Sequence, residues 1–171
     1  QSLAVGVKFD SKGCHIKVFP SCHVEVDFPY VQGLLAFRVG PAVCALLDGI
    51  GVDEIDVLVF DGQGIAHQRG LGLASHIGVL YNKPSLGVTR NNLFGNYANP
   101  PDDRLESTDI RHPRTNRVLG KAVRLAKGCD PCYLSPGHMV SIEDALLLIR
   151  RITSNDACFP HALQNPHTTA N

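Results

Sequence analysis

Asp61 is placed where a carboxylate could bind a cation. It directly follows the apolar run IDVLVF at residues 55–60 and opens the glycine-bearing loop DGQG. A carboxylate held at the end of a buried strand suits Mg²⁺, because this ion takes one or two fixed protein oxygens and completes its shell with water or phosphate. The plain alternative is a turn-initiating Asp whose side chain bonds its own loop.

Two histidines close glycine-bearing segments. His67 ends DGQGIAH, where it could act as an acid, a base or a phosphate contact. His138 ends SPGH at residues 135–138, between a short predicted strand and a helix. The proline and glycine would hold it on a rigid rim, as a metal ligand or an orienting group. For an isolated histidine such as His67, a structural role is the simpler interpretation. For His138, the alternative is a plain strand-to-helix turn.

Tyr30 stands on the loop PYVQG, which proline and glycine bound at residues 29–33. An exposed aromatic ring at such a position could stack or wedge against a nucleobase. The alternative is a tyrosine that packs over the edge of a sheet.

The six cysteines indicate no strong site. Cys129 and Cys132 form one CxxC pair, and a single pair is weak support for zinc or redox chemistry. The Cys-His pairs at 14–15 and 22–23 fall on neighbouring predicted strands, where a chance meeting is the simpler interpretation. We expect an intracellular protein, cytoplasmic or nuclear, with mostly reduced thiols.

The elements that must position these residues predict a mixed α/β domain. Predicted strands occupy residues 3–9, 14–19, 23–28, 55–60, 86–88, 118–126 and 132–134. The first three follow each other closely and predict an antiparallel meander, whereas the apolar run at 55–60 suits a strand buried on both faces. Asp61 would then lie at the carboxyl end of a central strand, where ligands of such sheets usually bind.

Helices and loops fill the intervals. Pro41 predicts the first turn of a short helix over 42–47, and further helices are expected over 71–81 and from the N-cap Ser141 to about residue 152. Residues 91–117 are polar and rich in Pro, Asn and Asp, which predicts a long loop or flap. We expect one domain over residues 1–152 and an irregular tail over 153–171.

Composition limits the classes of partner. The 171 residues are 44% hydrophobic and carry 16 basic and 16 acidic side chains, so the formal net charge is zero. The chain can bury a core, but binding to nucleic acid would need a local basic patch. Such a patch would unite Arg38, Arg69, Lys83, Arg90 and Lys121. There is no secretory signal pattern and no apolar stretch near the roughly 20 residues that span a bilayer, so no membrane partner is expected.

Several ordered strings resemble the endonuclease V family, the inosine-directed repair nucleases. They are PYVQGLLAFR at 29–38, GP at 40–41, VFDGQGIAHQRGLGLASHIGVL at 59–80, PSLGV at 84–88, LFG at 93–95 and SPGH at 135–138. The resemblance covers nearly all of residues 3–150 and implies a ribonuclease H-like fold, in which helices flank a mixed five-stranded sheet. It also implies hydrolysis of a DNA or RNA phosphodiester on the 3′ side of inosine, with Mg²⁺ or Mn²⁺ as the cofactor.

On this resemblance, four residues match the catalytic centre. Asp61 and His138 match residues at the metal, and His67 matches a loop histidine near the phosphate. Arg90 stands where the family has a lysine, which keeps the charge but changes the shape and the proton chemistry.

Four further positions match nucleic-acid contacts. Tyr30 matches a wedge tyrosine that separates the bases. The positions that match the lining of a hypoxanthine pocket are Gly33, Leu35 and Gly62. Glycines suit such a pocket, because they let backbone groups approach the edge of a flipped base.

Two expected carboxylates are missing from the matched pattern. Val39 stands where the family's FREGP string has its glutamate, and valine cannot bind a metal ion. The family's first strand carries an Asp in a VAGVD-like string. Either that strand is absent from this chain, which the spacing favours, or Lys8 replaces the Asp. Without a central first strand, upstream residues, a second chain or a repaired sheet would have to satisfy the neighbouring backbone groups.

These observations leave three functional hypotheses. The first is a pseudoenzyme that binds inosine or nucleic acid with lost or weak cleavage, because hydrolysis needs clustered carboxylates. The second is an active metal-dependent endonuclease that cuts near deoxyinosine or inosine. The third is a non-catalytic structural or interaction subunit that keeps only the fold, which the zero net charge and the weakly charged tail favour.

Overall fold

The N-terminal part of the chain is one long antiparallel hairpin in the computed structural model, which describes residues 1–10 and 15–163. One arm holds strands β1 (Ser2–Ala4) and β2 (Val7–Phe9), and the other holds β3 (His15–Val18) and β4 (Cys22–Val24). β1 pairs with β4 and β2 with β3. The predicted three-stranded meander was wrong, because Pro20 and Ser21 interrupt the second arm without reversing the chain. Residue 14, the predicted start of the second strand, lies outside the described residues.

Helix α1 (Leu35–Ile50) begins earlier than predicted and contains Pro41 in its interior. The predicted helix over 42–47 had Pro41 in its first turn, which was wrong. Ala36 and Val39 pack against the core shared with α2 and β5, and this packing extends the helix by almost two turns before the proline. Pro41 has no N–H, so the helix gives up one hydrogen bond there. It ends at Ile50, and the following Gly51 has a φ of 77° and donates its N–H to the Leu47 carbonyl at 2.9 Å.

The remaining strands form a five-stranded mixed sheet. In chain order, the elements are β5 (Leu58–Asp61), α2 (Leu73–Tyr81), β6 (Ser85–Thr89), β7 (Ser107–Arg111), β8 (Val118–Val123), β9 (Cys132–His138), α3 (Ile142–Ile152) and a 3-10 helix at His161–Leu163. The spatial order is β5-β6-β9-β8-β7, with β5 and β6 parallel and the other neighbours antiparallel. The expected α/β fold with a mixed sheet is confirmed. β7 corrects the loop expected over 91–117, since pairing with β8 orders a segment whose composition is polar.

Alternate residues along β5 point into two separate cores. Leu58 and Phe60 pack with α1 and α2, whereas Val57 and Val59 pack with the cluster that includes α3. Because successive strand residues face opposite sides, α1 and α2 cover one face of the sheet and α3 covers the other. The strand that carries Asp61 therefore packs on both faces, as the sequence predicted, although Val59 and Phe60 are only half-buried.

β5 is nevertheless an edge strand. Within the described residues it pairs only with β6, while the N-terminal hairpin forms its own ladders. The amides of Leu58 and Gly62 donate to the β6 side. Val59 and Asp61 alternate with them, so their backbone groups point away from β6.

Helix α3 begins as predicted. Ser141 is its N-cap, and its hydroxyl oxygen accepts from the Asp144 amide at 3.0 Å. None of the helices in the described part of the chain combines the length and the apolar character needed to cross a membrane.

The segment after α3 is packed into the domain. Phe159 is only 1% exposed and lies in the core beside α3. Cys158 forms a disulfide with Cys129, with the two Cα atoms 5.4 Å apart. The tail that we expected over 153–171 packs into the core as far as residue 163, with an irregular backbone apart from the 3-10 helix. Residues 164–171 lie outside the described residues.

Among the described residues, the disulfide is one exception to the expectation of mostly reduced thiols. Among the described cysteines, Cys22, Cys44 and Cys132 are free, while Cys129 and Cys158 are bonded to each other. The CxxC pair is thus split, because Cys129 has a distant partner and Cys132 is buried in β9.

Candidate functional site

Asp61 lies at the carboxyl end of β5, as predicted, and within electrostatic reach of Arg90. The expectation that this strand is central was wrong, because β5 is at the edge of the described sheet. Asp61 pairs in register with Val88 of β6, two residues before Arg90. The residue reaches solvent, but burial around its carboxyl raises the pKa of Asp61, and the charge of Arg90 opposes that rise. Arg90 lies over the ring of Phe159, with 4.1 Å between its guanidinium carbon and the ring centroid. The site is a carboxylate with a permanent cation beside it.

The DGQG loop after Asp61 is fixed by contacts with β9. The Gly64 amide donates to the Ser135 hydroxyl oxygen at 2.8 Å, and the Ile65 amide donates to the Pro136 carbonyl at 2.7 Å. Gly64 is required here, because a Cβ atom would overlap the Pro136 carbonyl oxygen. SPGH therefore serves the site structurally, by holding the loop that follows Asp61.

His138 does not lie beside Asp61. SPGH was predicted as a turn, but all four residues belong to β9. His138 pairs with Ser85 at the start of β6, whereas Asp61 pairs with Val88 near its end. The offset is about 10 Å along the strands and about 10 Å across two strand spacings. Ligands of one Mg²⁺ ion lie roughly 2 Å from it, so the predicted metal site shared by Asp61 and His138 does not form in this arrangement.

His67 is buried, and its ring is engaged on both sides. Only 6% of its surface is exposed. Its Nδ1 accepts from the Arg69 amide at 3.2 Å, and the ring also hydrogen-bonds the Gly33 backbone. Burial lowers the pKa of His67, and the bond to Gly33 offsets part of that change. His67 is therefore a neutral ring that ties two loops together, while its predicted part in catalysis stays a prediction.

Tyr30 stands on an exposed loop, and the turn that contains His67 and Arg69 holds the base of this loop. Its side chain is 70% exposed, so it does not pack over the sheet edge. Gly33 has a φ of 79°, in the region that favours glycine. The Gly33 carbonyl accepts from Arg69 Nη1 at 3.1 Å. The structure thus presents an aromatic ring to solvent on a fixed base.

Leu35 and Gly62 extend this region on α1 and after β5. Leu35 is half-buried and starts α1 just after the tyrosine loop. Gly62 is buried against α2, where a Cβ atom would lie 3.1 Å from Leu73 Cδ2. Their part in a hypoxanthine pocket stays a prediction.

Carboxylates do not gather around Asp61. Val39 lies in α1 and packs into the core between α1, α2 and β5, and Lys8 lies 3.5 Å from Glu54 on the surface. Across residues 1–10 and 15–163, no three His, Cys, Asp or Glu side chains converge on a common cation position. The residues present therefore do not fit a cage for Mg²⁺ or Mn²⁺ built by the protein, because such ions favour clustered oxygen ligands.

The basic residues do not form one face. Lys83 and Arg90 lie at opposite ends of β6, and Lys121 on β8 pairs with a carboxylate of β7. Arg38 and Arg69 differ, because both donate to backbone carbonyls on either side of the tyrosine loop. Positive charge at the candidate site comes from this pair and from Arg90.

Sequence reasoning missed Phe159. A single Phe in a polar segment shows no periodicity, so its place under Arg90 is not visible in the local pattern. The available signal was Cys158 beside it, since a disulfide to Cys129 brings this segment onto the sheet.

Solved structures share this arrangement of sheet, helices and loops. An endonuclease V structure from Streptomyces avermitilis has a TM-score of 0.76 and 30% identity, over 98% of this chain and 77% of that chain. The catalytic domain of human endonuclease V has a TM-score of 0.76 and 29% identity, over 95% and 77%. A Ciona intestinalis endonuclease V, at 24% identity and a TM-score of 0.77, was solved with DNA containing an inosine. The fold is that of the endonuclease V structures.

The sequence comparisons give the same family. The Endonuclease V family profile matches residues 2–168, so the chain belongs to the endonuclease V family. Curated endonuclease V proteins include one from Kosmotoga olearia, 41% identical over 75% of this chain, and one from Methanothrix thermoacetophila, 43% identical over 72%. The chain spans only 56% and 53% of the lengths of these two relatives.

Proposed function

We propose that this chain recognises inosine in DNA or RNA and cleaves the phosphodiester weakly or not at all. The observation that carries the proposal is a contrast within one site. The Tyr30 loop is exposed and held in place, whereas position 39 offers a packed valine in place of a carboxylate. The inosine-containing DNA in the Ciona structure supports the choice of ligand.

Recognition would use the tyrosine loop and the adjacent backbone. Tyr30 would insert or stack against a base, because its ring is exposed and its loop is anchored through Gly33. A base turned out of its stack would offer its edge to backbone N–H and C=O groups near Gly33 and Gly62. Arg38 and Arg69 would add positive charge for the phosphates.

The proposed loss of cleavage follows from the small number of side chains that could bind a metal ion. Asp61 supplies a carboxylate, but within residues 1–10 and 15–163 it is not part of a cluster of three or more possible ligands. Mg²⁺ or Mn²⁺ would take its remaining ligands from water and from the nucleic acid. The loss of one metal ligand typically costs orders of magnitude in rate. A weak residual activity is therefore the most that this arrangement supports.

The test measures binding and cleavage on the same oligonucleotides. Single-stranded DNA and RNA that carry one inosine, or adenine at the same position, are titrated by fluorescence anisotropy with Mg²⁺ or Mn²⁺ and then run on denaturing gels. We expect inosine to bind about tenfold more tightly, which equals about 1.4 kcal/mol, with no cleaved product. Tyr30→Ala should weaken binding by roughly 1–3 kcal/mol, while Leu147→Ala, an exposed residue on α3, should not.

Two results would overturn the proposal. Efficient cleavage by the unmodified chain would show that other groups complete the metal site and would favour an active endonuclease. Equal binding to inosine and adenine, unchanged by Tyr30→Ala, would favour a structural or interaction subunit that keeps only the fold.

In the part of the chain that the structure describes, no strand pairs with β5 on the side away from β6, which favours a second chain as an additional partner. Backbone groups of Val59 and Asp61 point away from β6, and an added strand would pair with them. Sedimentation should then show an oligomer that forms with rising concentration. Val59→Pro, which removes an amide on the free side, should abolish it, and a monomer at every concentration would contradict this partner.

A further inference from the structure

Three aromatic rings form a row beside the tyrosine loop. The rings of Phe28 and Phe37 are stacked, with centroids 5.7 Å apart and an interplanar angle of 30°. Phe37 meets His76 edge to face, with centroids 5.6 Å apart and an angle of 70°. We call these three residues the aromatic row. They come from the strand-to-helix connection, the first turn of α1 and α2.

The aromatic row is held in place by contacts with the candidate site. Arg38 Nη1 donates to the Phe28 carbonyl at 2.8 Å, and His76 Nδ1 lies 3.2 Å from the Gly72 carbonyl, which accepts from it. His76 is also within electrostatic reach of His67, the residue that ties down the base of the tyrosine loop. The row is therefore anchored to the chain just before the tyrosine loop, through the bond from Arg38 to Phe28.

Phe37 is the unexpected member of the row. It is 52% exposed, although its neighbours at the start of α1 are half-buried. A fixed aromatic face beside positively charged Arg38 and Arg69 is what stacking on a base and contact with its phosphate require. The same features have no counterpart on the outer face of α3, where the equally exposed Leu147 is aliphatic.

We propose that Phe37, supported by Phe28 and His76, stacks on a nucleobase that flanks the inosine. This inference rests on the proposed function and deepens it. The chain would take at least two consecutive unstacked nucleotides, one at the Tyr30 loop and one on the aromatic row. Single-stranded segments would therefore be preferred over fully paired duplexes.

The test combines a change in the protein with a change in the ligand. Oligonucleotides carry one inosine, with the neighbouring base on each side replaced in turn by an abasic sugar. We expect Phe37→Leu to weaken binding to the intact single strand about tenfold, within the range of one base–aromatic stack. We expect the same loss for the unmodified protein on one of the abasic strands, and no further loss when the two changes are combined.

Controls separate stacking from folding. Phe37→Tyr keeps the ring and should bind as the unmodified protein does, while Leu147→Ala serves as a matched exposed residue on α3. Thermal unfolding of each variant checks that the domain is intact. The stacking role would be overturned if Phe37→Leu kept full affinity. It would also be overturned if the losses of affinity from Phe37→Leu and from the abasic strand multiplied when the two changes were combined.

The outcomes distinguish this inference from the proposed function. If the unmodified protein prefers inosine but Phe37→Leu changes nothing, the aromatic row has no part in binding and the proposed function stands. If inosine gives no preference but Phe37→Leu still weakens all single strands, the proposed function fails and the row is a general stacking surface. If the chain binds no oligonucleotide, both fail.

Discussion

His67 shows how a residue of catalytic type can be used for positioning. Its ring accepts from the Arg69 amide and bonds the Gly33 backbone, so it joins the turn after the DGQG loop to the base of the tyrosine loop. Two loops that are far apart in sequence are thereby held at a fixed distance. A neutral, buried imidazole suits this task, because a charged ring would lack solvation.

The pH dependence of stability should report this role. Burial lowers the pKa of His67 in the folded protein below the ordinary value of about 6.5. As the pH falls below that value, the unfolded chain takes up a proton before the folded protein does, so stability present above pH 6.5 is lost on acidification. Between pH 8 and pH 5, the free energy of unfolding measured in urea should fall less for His67→Gln than for the unmodified protein. The exposed His23→Gln should behave as the unmodified protein does, and equal slopes for all three would contradict this role.

The variant Val39→Glu tests whether a carboxylate at position 39 supports cleavage. Val39 packs among apolar side chains that include Phe60, the neighbour of Asp61. Val39→Glu would place a carboxylate beside this core and should lower stability by about 1–3 kcal/mol, because a polar group is buried. We expect product from Val39→Glu with Mn²⁺ on denaturing gels and none from Val39→Gln. Product from both variants would show that the carboxylate is not the missing group.

The sequence located some site residues well and misplaced one. Asp61 was placed correctly, because an apolar run followed by a glycine loop marks the end of a buried strand. His138 was misplaced, because a Pro-Gly pair normally predicts a turn. Pro136 is tolerated in β9 because the pairing of β9 with β8 ends at Leu134 and the register with β6 shifts next to Pro136. These pairings join distant segments, so local patterns do not show them.

At the level of elements, the DGQG loop packs against β9 with no room for a side chain at Gly64. A Cβ atom at Gly64 would overlap the Pro136 carbonyl and lie 2.7 Å from the Ser135 carbonyl oxygen. Gly64→Ala should therefore lower the free energy of unfolding by about 1–3 kcal/mol, the usual cost of overpacking. It should also weaken inosine binding, because the loop must move.

A second glycine gives the matched control for this substitution. Gly49 lies in α1, and a Cβ atom there would meet nothing within 4 Å. Gly49→Ala should stabilise the protein by about 0.5–1 kcal/mol, since alanine loses less backbone entropy in a helix. Chemical denaturation of both variants checks the pair. A neutral Gly64→Ala would mean that the loop and β9 are not tightly packed.

The elements that the sequence predicted poorly depend on distant pairing. The strand at 23–28 was predicted from clean alternation, but β4 is shorter and pairs with the start of the chain. β7 was hidden in a polar segment, because its order comes from β8. By contrast, α3 was predicted correctly because its N-cap and acidic first turn are local signals.

At the scale of the whole molecule, the segment after α3 links the connection between β8 and β9 to Arg90 at the candidate site. Cys129, in the connection between β8 and β9, bonds Cys158, and the adjacent Phe159 is buried under Arg90. Arg90 acts electrostatically on Asp61. The disulfide therefore holds the Phe159 ring in place beneath Arg90, and Arg90 is the cation that acts on Asp61.

This link should contribute strongly to stability. The two cysteines are 29 residues apart in sequence, and a cross-link over such a loop is typically worth roughly 2–4 kcal/mol. Cys158→Ser should lower the free energy of unfolding by that amount, and Cys129→Ser should do the same. The double variant should lose no more than either single one, because all three remove the same bond.

Reductant provides the control for the disulfide. Dithiothreitol should lower the denaturation midpoint of the unmodified protein to that of Cys158→Ser and should leave the variant itself unchanged. Cys22→Ser removes a free thiol from the hairpin and should keep the response to reductant. If the unmodified protein ignores the reductant while Cys158→Ser is destabilised, packing of the cysteine side chain, and not the covalent bond, holds Phe159 beneath Arg90.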